Sequence, residues 1–307
     1  MTAADGQLPH LMTFATAAEL GSFTGAAKVL GLTQAAVSQR IQVLERKLKK
    51  SLFDRRCGGV SLTDAGRTLY AFAQQIDNLH REAQLAITGQ APAIVGELNI
   101  AASSVPGEHF LPTLLSGFGP KFPQLHVRAT VSDSLAVTHQ VERGEVSLGL
   151  VGRKDEKPHL EFRCIARDRM VVVAPRGHAV FRKKQATVDQ LAGYPLILRE
   201  VGSGLRHCFE KSLERAGRSL SELRVSLELG SNEAIREAVL RGAGLAVLSL
   251  YSVHKELESG RLRAVPVKGV RCDRDIYVVQ DRRRVLPLPA RLFLDYLESN
   301  PLPALAP

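Results

Sequence analysis

Residues 21–48 read GSFTGAAKVLGLTQAAVSQRIQVLERKL, a pattern typical of two short helices joined by a tight turn. Ser22 or Thr24 is suited to cap the first helix, because a hydroxyl oxygen accepts a free backbone N–H group at a helix start. Thr33 is suited to cap the second helix, which we expect to run to about Leu48. Two helices at this spacing, with glycine in the turn, predict a helix-turn-helix.

The second helix has two chemically different faces. Val37, Ile41 and Leu44 recur at helical spacing and predict a stripe that faces a core and continues to Leu48. On the other side, glutamine suits bonding to adenine, serine adapts to either base, and alanine lets the helix approach a thymine methyl group. The alternative is an ordinary solvated polar face. The candidate DNA-contacting residues here are Gln34, Ala35, Ser38, Gln39, Gln42 and Arg46.

Positive charge is concentrated beside this helix. The 307-residue chain has 41 basic and 31 acidic side chains, and residues 40–56 alone contain seven basic and two acidic ones. The net charge of +10 indicates an anionic partner: nucleic acid, an anionic membrane surface or an acidic small molecule. The dense basic island favours DNA phosphates. A wing predicted around Gly58-Gly59 adds Arg55 and Arg56 as candidate contacts.

A long helical pattern follows from Thr63 to about Gly89. Two sets of apolar residues recur in it every seven positions, which predicts a seam that pairs with a second copy of the chain. The alternative is one amphipathic helix packed on its own domain. The two sets are Leu69, Ile76 and Ala83, and Phe72, Leu79 and Ala86.

After residues 91–93, strand patterns alternate with helical ones. This alternation predicts an α/β fold with largely parallel, buried strands, arranged in two lobes. The predicted strands are 97–102, 126–131, 147–151, 170–174, 196–198, 225–229, 245–248 and 276–279, and the predicted helices are about 108–118, 134–143, 204–216 and 232–241.

The chain resembles the LysR-type transcriptional regulators. The resemblance rests on residues 21–27 and 30–38, on Ile41, Leu44-Glu45 and Leu48, and on the segments LFDR (52–55) and LTDAG (62–66). It implies a multidomain fold: an all-α winged helix-turn-helix with a long linker helix, then a two-lobed α/β effector domain of the periplasmic-binding-protein type. The implied domains are 1–63, 64–90 and 91–307, with lobe one formed by 91–166 and 269–307 and lobe two by 167–268.

The resemblance also implies functional residues. Base contacts come from Gln34, Ala35, Ser38 and Gln39, with Arg55 in the wing. The effector lies between the lobes, and the chain crosses between them near 165–168 and 267–270. The implied effector-binding residues are Ser103, Ser104, Asp133, Ser134, Gly152, Gly202 and Ser203.

One departure from the family concerns the end of the second helix. LysR-type regulators usually have Leu-Gly where this chain has Leu48-Lys49. A lysine with a positive φ is uncommon, so the sequence leaves open whether the helix runs on or ends in another way.

Small polar residues precede several predicted helices, at Ser103-Ser104, Gly202-Ser203 and Ser231-Asn232. Free N–H groups and the helix dipole favour an anion at such places, while ordinary N-capping is the alternative. Arg199 and Arg206 are candidates to complement an anionic effector.

Three other functions compete with a regulator. An enzyme is disfavoured because the chain has no GxSxG, GxxxxGK[ST], HExxH or GxGxxG motif, so we predict no catalytic residue, and we name no cofactor. Four scattered cysteines and dispersed histidines predict no metal site. A solute-transport protein would need an export signal, which the first ten residues lack. A nonspecific architectural DNA binder would not need the large second domain.

The sequence therefore predicts a cytoplasmic dimer or tetramer that binds an interrupted palindromic operator in double-stranded DNA. A small-molecule effector controls it, and an anion is one candidate class. No apolar run is long enough to span a membrane, and no membrane partner is expected.

Overall fold

The computed structural model describes residues 7–54, 61–88 and 94–302, which form an N-terminal and a C-terminal compact unit. No helix in these ranges is both long and apolar enough to cross a membrane. The N-terminal elements are α1 (Gln7–Leu20), α2 (Phe23–Leu30), α3 (Gln34–Leu48), β1 (Phe53–Asp54), β2 (Ser61–Leu62) and α4 (Asp64–Thr88).

Helices α2 and α3 form the expected helix-turn-helix. Ser22 caps α2, because its Oγ accepts the Gly25 N–H at 3.0 Å. Thr33 starts α3, its Oγ1 accepting a backbone N–H of the first turn at 3.2 Å. Between the helices Gly31 has a φ of 63°, a left-handed conformation that glycine adopts at little steric cost.

The apolar stripe of α3 packs into the core of the N-terminal unit. Val37 and Ile41 are fully buried in the same cluster as Phe14 of α1, and Leu44 is nearly so. The prediction that Leu48 continues the stripe is wrong, since its side chain is 48% exposed. Leu48 is the last residue of α3 and extends past the edge of this core.

Helix α3 ends at a left-handed residue that is not glycine. Lys49 has a φ of 52° and a ψ of 34°, and its N–H bonds to the Glu45 carbonyl, so the helix stops where a glycine would stop it. That conformation costs a non-glycine residue about 1–2 kcal/mol. Glu45 Oε1 accepts the Leu52 N–H at 2.8 Å, which holds the outgoing chain and offsets part of this cost.

A two-stranded antiparallel sheet follows α3, with Phe53 opposite Leu62. Thr63 then starts α4, its Oγ1 accepting the Gly66 N–H at 3.0 Å. Glycine is required at position 66, because a Cβ there would collide with the carbonyl oxygen of Leu52. Two residues of the LTDAG segment thus have a structural reason: Thr63 caps α4, and Gly66 lets α4 pack closely against the backbone at Leu52.

The C-terminal unit is built on one nine-stranded sheet, in the order β4-β3-β5-β11-β6-β9-β7-β8, with β10 paired to β6 outside this path. In chain order its elements are β3 (Gly96–Ser103), a π-helical turn (Pro106–Phe110), α5 (Leu111–Phe118), β4 (Leu125–Ser132), α6 (Ser134–Arg143), β5 (Leu148–Val151), β6 (Leu160–Pro175), α7 (Val188–Ala192), β7 (Leu196–Arg199), α8 (Gly204–Arg215), β8 (Val225–Leu229), α9 (Asn232–Leu240), β9 (Leu245–Ser249), α10 (Leu250–Glu258), β10 (Leu262–Val265), β11 (Cys272–Asp281) and α11 (Leu288–Ser299).

The sheet is parallel towards both edges and antiparallel at its centre. β3 runs parallel to β4 and β5, and β7 runs parallel to β8 and β9. β6 and β11 are antiparallel to each other and to their other neighbours. The prediction of a largely parallel sheet is therefore wrong at the centre, where these two long strands carry the chain across in opposite directions.

β6 and β11 connect two lobes with separate cores. Val279 of β11 packs in the lobe-one core with Val137, whereas Cys272 packs in a lobe-two core with Phe209. The chain therefore returns to lobe one within 272–277, later than the expected 267–270. The reason is that β11 is one continuous strand paired with β6 along its whole length.

Candidate functional site

The side of α3 opposite its buried stripe is open to solvent. Four of the predicted base-contacting residues and Arg46 are exposed, and Ser38 is half-buried. Arg46 Nε lies 3.4 Å from the Gln42 carbonyl, which directs its guanidinium along the helix surface. Arg55 and Arg56 lie outside the described residues. The exposed residues are Gln34, Ala35, Gln39, Gln42 and Arg46.

The surroundings of α3 are electropositive. The pKa of His10 is lowered, first by burial and then by the positive charges of Arg40 and Lys47. Arg40 Nη1 also donates to Thr13 Oγ1 at 3.1 Å, which ties α3 to α1. A helix with free polar side chains and nearby positive charge has the chemistry that DNA grooves and phosphates require.

Three helices of the C-terminal unit begin at one small polar cavity between the lobes. α6, α8 and α9 are capped by Asp133, Ser203 and Ser231, whose side chains accept backbone N–H groups. The cavity volume is about 10 Å³. Five predicted effector residues line it: Ser103, Ser104, Asp133, Ser134 and Ser203.

The two remaining predicted residues, Gly152 and Gly202, lie beside this cavity. A Cβ at Gly202 would collide with the Asp133 carboxylate, and a Cβ at Gly152 would lie 2.6 Å from Nη1 of Arg274. The absence of a side chain at Gly152 therefore lets the Arg274 guanidinium approach the backbone. At Gly202 it lets the Asp133 carboxylate of the other lobe do so.

Arg274 reaches the cavity from the centre of the sheet. Its Nε and Nη2 lie 2.9 Å and 2.8 Å from Asp168 Oδ2, and Ser249 Oγ donates to Asp168 Oδ1 at 2.6 Å. The Asp168 side chain is fully buried and that of Arg274 is 7% exposed. Arg274 could not be recognised from the sequence, because nothing local distinguishes it from the neighbouring charged residues. Only the strand register, which places it opposite Asp168, does so.

The two arginines predicted as effector contacts both bond to carboxylates of the protein. Arg199 donates Nε and Nη2 to Glu200, at 2.8 Å and 2.7 Å, and Nη1 to Asn232 Oδ1 at 2.6 Å. Arg199 lines the cavity. Arg206 is not among the residues that line it, and bonds instead to two glutamates on α8 and β8.

Two buried polar atoms at the cavity, Ser134 Oγ and Asn232 Nδ2, have no hydrogen-bond partner among the described residues. The two residues are 2% and 1% exposed. An unsatisfied buried donor costs about 1–3 kcal/mol, so two residues with such atoms in the lining of one cavity make it a candidate binding site. Close by, burial raises the pKa of Glu108, and the charge of Arg199 and the nearby Asn232 side chain oppose this rise, although the Asn232 amide does not meet hydrogen-bond geometry with the Glu108 carboxyl.

The lobes also meet where the π-helical turn faces α10. His109 Nε2 lies 3.2 Å from Ser252 Oγ, and the rings of Phe110 and Tyr251 pack edge to face with centroids 4.8 Å apart. Burial lowers the pKa of His109, with a smaller contribution from His254. Throughout the described ranges, no group of three or more His, Cys, Asp or Glu side chains is placed to hold a metal ion.

Comparison with known proteins identifies both units. Residues 8–67 match the bacterial regulatory helix-turn-helix protein family, lysR type, and residues 93–301 match the LysR substrate binding domain. An uncharacterized HTH-type transcriptional regulator of Methanocaldococcus jannaschii is 32% identical over 293 residues, covering 95% of this chain and 99% of that protein. The HTH-type transcriptional activator CmpR of Synechocystis is 30% identical over 293 residues, 95% of each chain.

A solved structure supports the same assignment for the C-terminal unit. The regulatory domain of Synechocystis CcmR in complex with 2-PG is 30% identical, with a TM-score of 0.60, over 66% of this chain and 96% of that one. The family matches, the near-complete coverage of the relatives and the two units described above agree. The chain belongs to the LysR family of transcriptional regulators.

Proposed function

We propose that this regulator reads an operator in double-stranded DNA through the exposed face of α3. The observation that carries the proposal is the division of α3 into a buried apolar stripe and an exposed polar face within a helix-turn-helix. Such a helix presents side chains to base edges in the major groove. The proposed DNA contacts are Gln34, Ala35, Ser38, Gln39, Gln42 and Arg46, with Arg55 and Arg56 in the wing.

We propose that two or four copies bind together to an interrupted palindrome, paired through α4. Phe72 and Ile76 of its apolar seam are each 40% exposed, although Leu69 packs on the core of its own unit. A second α4 would cover the exposed pair. Two-fold pairing places two α3 helices on successive half-sites, which is the geometry of a palindromic operator.

The cavity between the lobes is the proposed effector site. Polar groups of both lobes line it, so a bound molecule favours one arrangement of the lobes over another. The complex of the CcmR regulatory domain with 2-PG supports a small molecule in this domain. The proposed effector residues are Ser103, Ser104, Asp133, Ser134, Gly152, Gly202 and Ser203. The proposal includes no catalytic step, cofactor or membrane partner, and it places the protein in the cytoplasm.

Selection of genomic DNA fragments by the full-length protein tests the DNA-binding proposal. Wild type is expected to enrich a few fragments and to protect two half-sites on each at near-physiological salt. Gln39→Ala should weaken specific binding about tenfold, since one bidentate base contact is worth about 1–3 kcal/mol, and leave nonspecific binding unchanged.

Gln124→Ala is the matched control, because Gln124 is exposed on the C-terminal unit. It should bind like wild type. Equal loss of binding to random DNA in Gln39→Ala would remove base reading from Gln39. Absence of any enriched fragment at that salt concentration would contradict the operator proposal itself.

A further inference from the structure

We propose that the cavity between the lobes takes a compact oxyanion of the size of phosphate or sulfate. This inference rests on the proposed function, because it names the chemical class of the effector. Three observations support it: the small volume of the cavity, the unsatisfied hydrogen-bond donors in its lining, and the pairing of its two arginines with carboxylates of the protein.

The space between the lobes limits the size of the ligand. Its volume of about 10 Å³ is comparable to that needed by one water molecule. A Cβ at Gly204 would lie 2.7 Å from Ser134 Oγ and 2.9 Å from the carbonyl of Gly152, so groups of the two lobes are already in close contact. A five-atom anion needs only a small separation of the lobes, whereas a long carbon skeleton needs wide opening.

The groups that face this space are chiefly hydrogen-bond donors. Ser134 Oγ and Asn232 Nδ2 are buried there without a partner in the described chain. Arg274 directs Nε and Nη2 to Asp168, and its Nη1 lies against Gly152. The first turns of α6, α8 and α9, helices of 10, 12 and 9 residues, converge on the same space. Free N–H groups and the helix dipole stabilise an anion at such a point.

Both cationic side chains at the cavity are neutralised by the protein. Asp168 pairs with Arg274, and Glu200 pairs with Arg199. With Asp133 included, two positive and three negative side chains meet at the cavity, which therefore offers directed donors and no net positive charge. Such a site suits an anion whose oxygens each accept bonds from several directions, and disfavours an extended dicarboxylate that would need an unpaired cation at both ends.

Asp133 adds a preference within the oxyanions. Its Oδ1 accepts the N–H groups of Leu135 and Ala136, at 2.9 Å and 3.0 Å, while the carboxylate borders the cavity. A carboxylate accepts a hydrogen bond from a ligand hydroxyl and repels an oxygen that has no proton. Hydrogen phosphate keeps a hydroxyl proton at neutral pH and sulfate does not, so we expect phosphate to bind more tightly.

Isothermal titration calorimetry of the full-length protein with inorganic phosphate, sulfate and acetate, at constant ionic strength, tests this inference. Wild type should bind one phosphate per chain in a saturable manner, sulfate about tenfold more weakly, and acetate without saturation. Asp133→Asn retains the capping oxygen and removes the carboxylate charge, so sulfate should then bind as tightly as phosphate.

Two variants place the binding in the cavity. Asn232→Asp retains an acceptor for Arg199 but replaces the unsatisfied donor with an oxygen, and Ser134→Ala removes only a hydroxyl group. Each should weaken phosphate binding at least about tenfold, because hydrogen bonds to charged groups are worth about 1.5–3 kcal/mol. Ser116→Ala, a matched change on the exposed side of α5, should leave binding unchanged.

The basic residues around α3 also attract anions, so phosphate binding by wild type does not by itself locate the site. The cavity variants show whether the phosphate binds between the lobes. Phosphate binding that persists unchanged in Ser134→Ala and Asn232→Asp would overturn the inference, as would the absence of binding by both phosphate and sulfate. If Asn232→Asp does not fold, Ser134→Ala alone decides. Specific operator binding without any oxyanion binding would refute this inference and leave the proposed DNA-binding function standing.

Discussion

Arg274 of β11 and Asp168 of β6 lie directly opposite each other on the two strands that join the lobes, and they form a buried ion pair there. Ser249, which caps α10, completes the carboxylate's hydrogen bonds. The pair therefore links the proposed effector cavity to the helix whose Tyr251 and Ser252 contact lobe one. The ion pair stabilises the two strands that connect the lobes, and it also places the Arg274 guanidinium at the cavity.

Asp168→Ala should destabilise the C-terminal unit by about 3–5 kcal/mol, because it leaves the Arg274 charge buried without its partner. Chemical denaturation of the full-length protein measures this loss. Arg167→Ala is the control, since Arg167 is 87% exposed and lies 3.5 Å from Asp275. That change should stay within about 0.5 kcal/mol. Equal effects of the two changes would contradict the assignment of the buried pair.

Lys49→Gly should stabilise the N-terminal unit by about 1 kcal/mol, because glycine adopts the left-handed cap without the steric cost of a side chain. The first unfolding transition of the full-length protein, or hydrogen exchange in α3, reports this gain. Lys50→Gly removes the same charge without relieving a positive φ, since Lys49 is the single non-glycine residue with positive φ among those described. A gain in both variants would point to charge rather than backbone strain.

Gly202→Ala should weaken the response to the effector at least tenfold, because a Cβ at this position meets the Asp133 carboxylate when the lobes are together. Operator binding without effector should stay as in wild type. Gly230→Ala is the matched control, as a Cβ there has no atom within 4 Å. A normal response in Gly202→Ala, measured by operator binding across an effector titration, would show that this contact is not needed.

Stability should fall as the pH drops below about 6.5, in part because of His109. An unfolded histidine takes up a proton near pH 6.5, whereas burial lowers the pKa of His109 in the folded protein. Between these two pKa values the unfolded state binds more protons, so folding stability decreases as the pH falls. His109→Gln should flatten part of the pH dependence of the melting temperature, while His126→Gln, at an exposed position of β4, should not.

The pKa values of His10, His178 and His207 are lowered as well, and in each case burial is the largest cause. The His109 variant should therefore remove only a share of the effect. A melting temperature that changes with pH as much in His109→Gln as in wild type would assign the whole effect to the other histidines.

The helix-turn-helix could be predicted because its signals are local. Caps at Ser22 and Thr33 and the spacing of the buried stripe depend only on neighbours in sequence. The end of α3 at Leu48 agrees with the prediction, but the left-handed cap at Lys49 could not be predicted, since the side chain of Glu45 bonds the chain seven residues later. The left-handed cap at Lys49 follows from that bond as much as from the residue itself.

In the C-terminal unit the parallel strands towards both edges of the sheet were predicted, whereas the antiparallel pair β6 and β11 at its centre was not. Helix α10 was missed because it follows β9 directly, with Ser249 as both the last strand residue and the helix cap. Helix α11 was missed because prolines stand at 287 and 289, although proline is tolerated in a first helical turn. The role of Arg274 could not be predicted, because it follows from strand register. Register brings Arg274 opposite Asp168, which lies 106 residues earlier in the sequence.

The Glu45 carboxylate also changes the electrostatics of the DNA-binding surface. It is one of two acidic residues in 40–56, and its Oε1 is bonded to the backbone N–H of Leu52, with Phe53 N–H at 3.4 Å. Because part of its negative charge is compensated by these peptide dipoles, a polyanion approaching α3 experiences a stronger attraction than the count of charges indicates. Operator affinity should therefore fall with salt almost as steeply as the number of lysines and arginines in this segment predicts, with little reduction from Glu45.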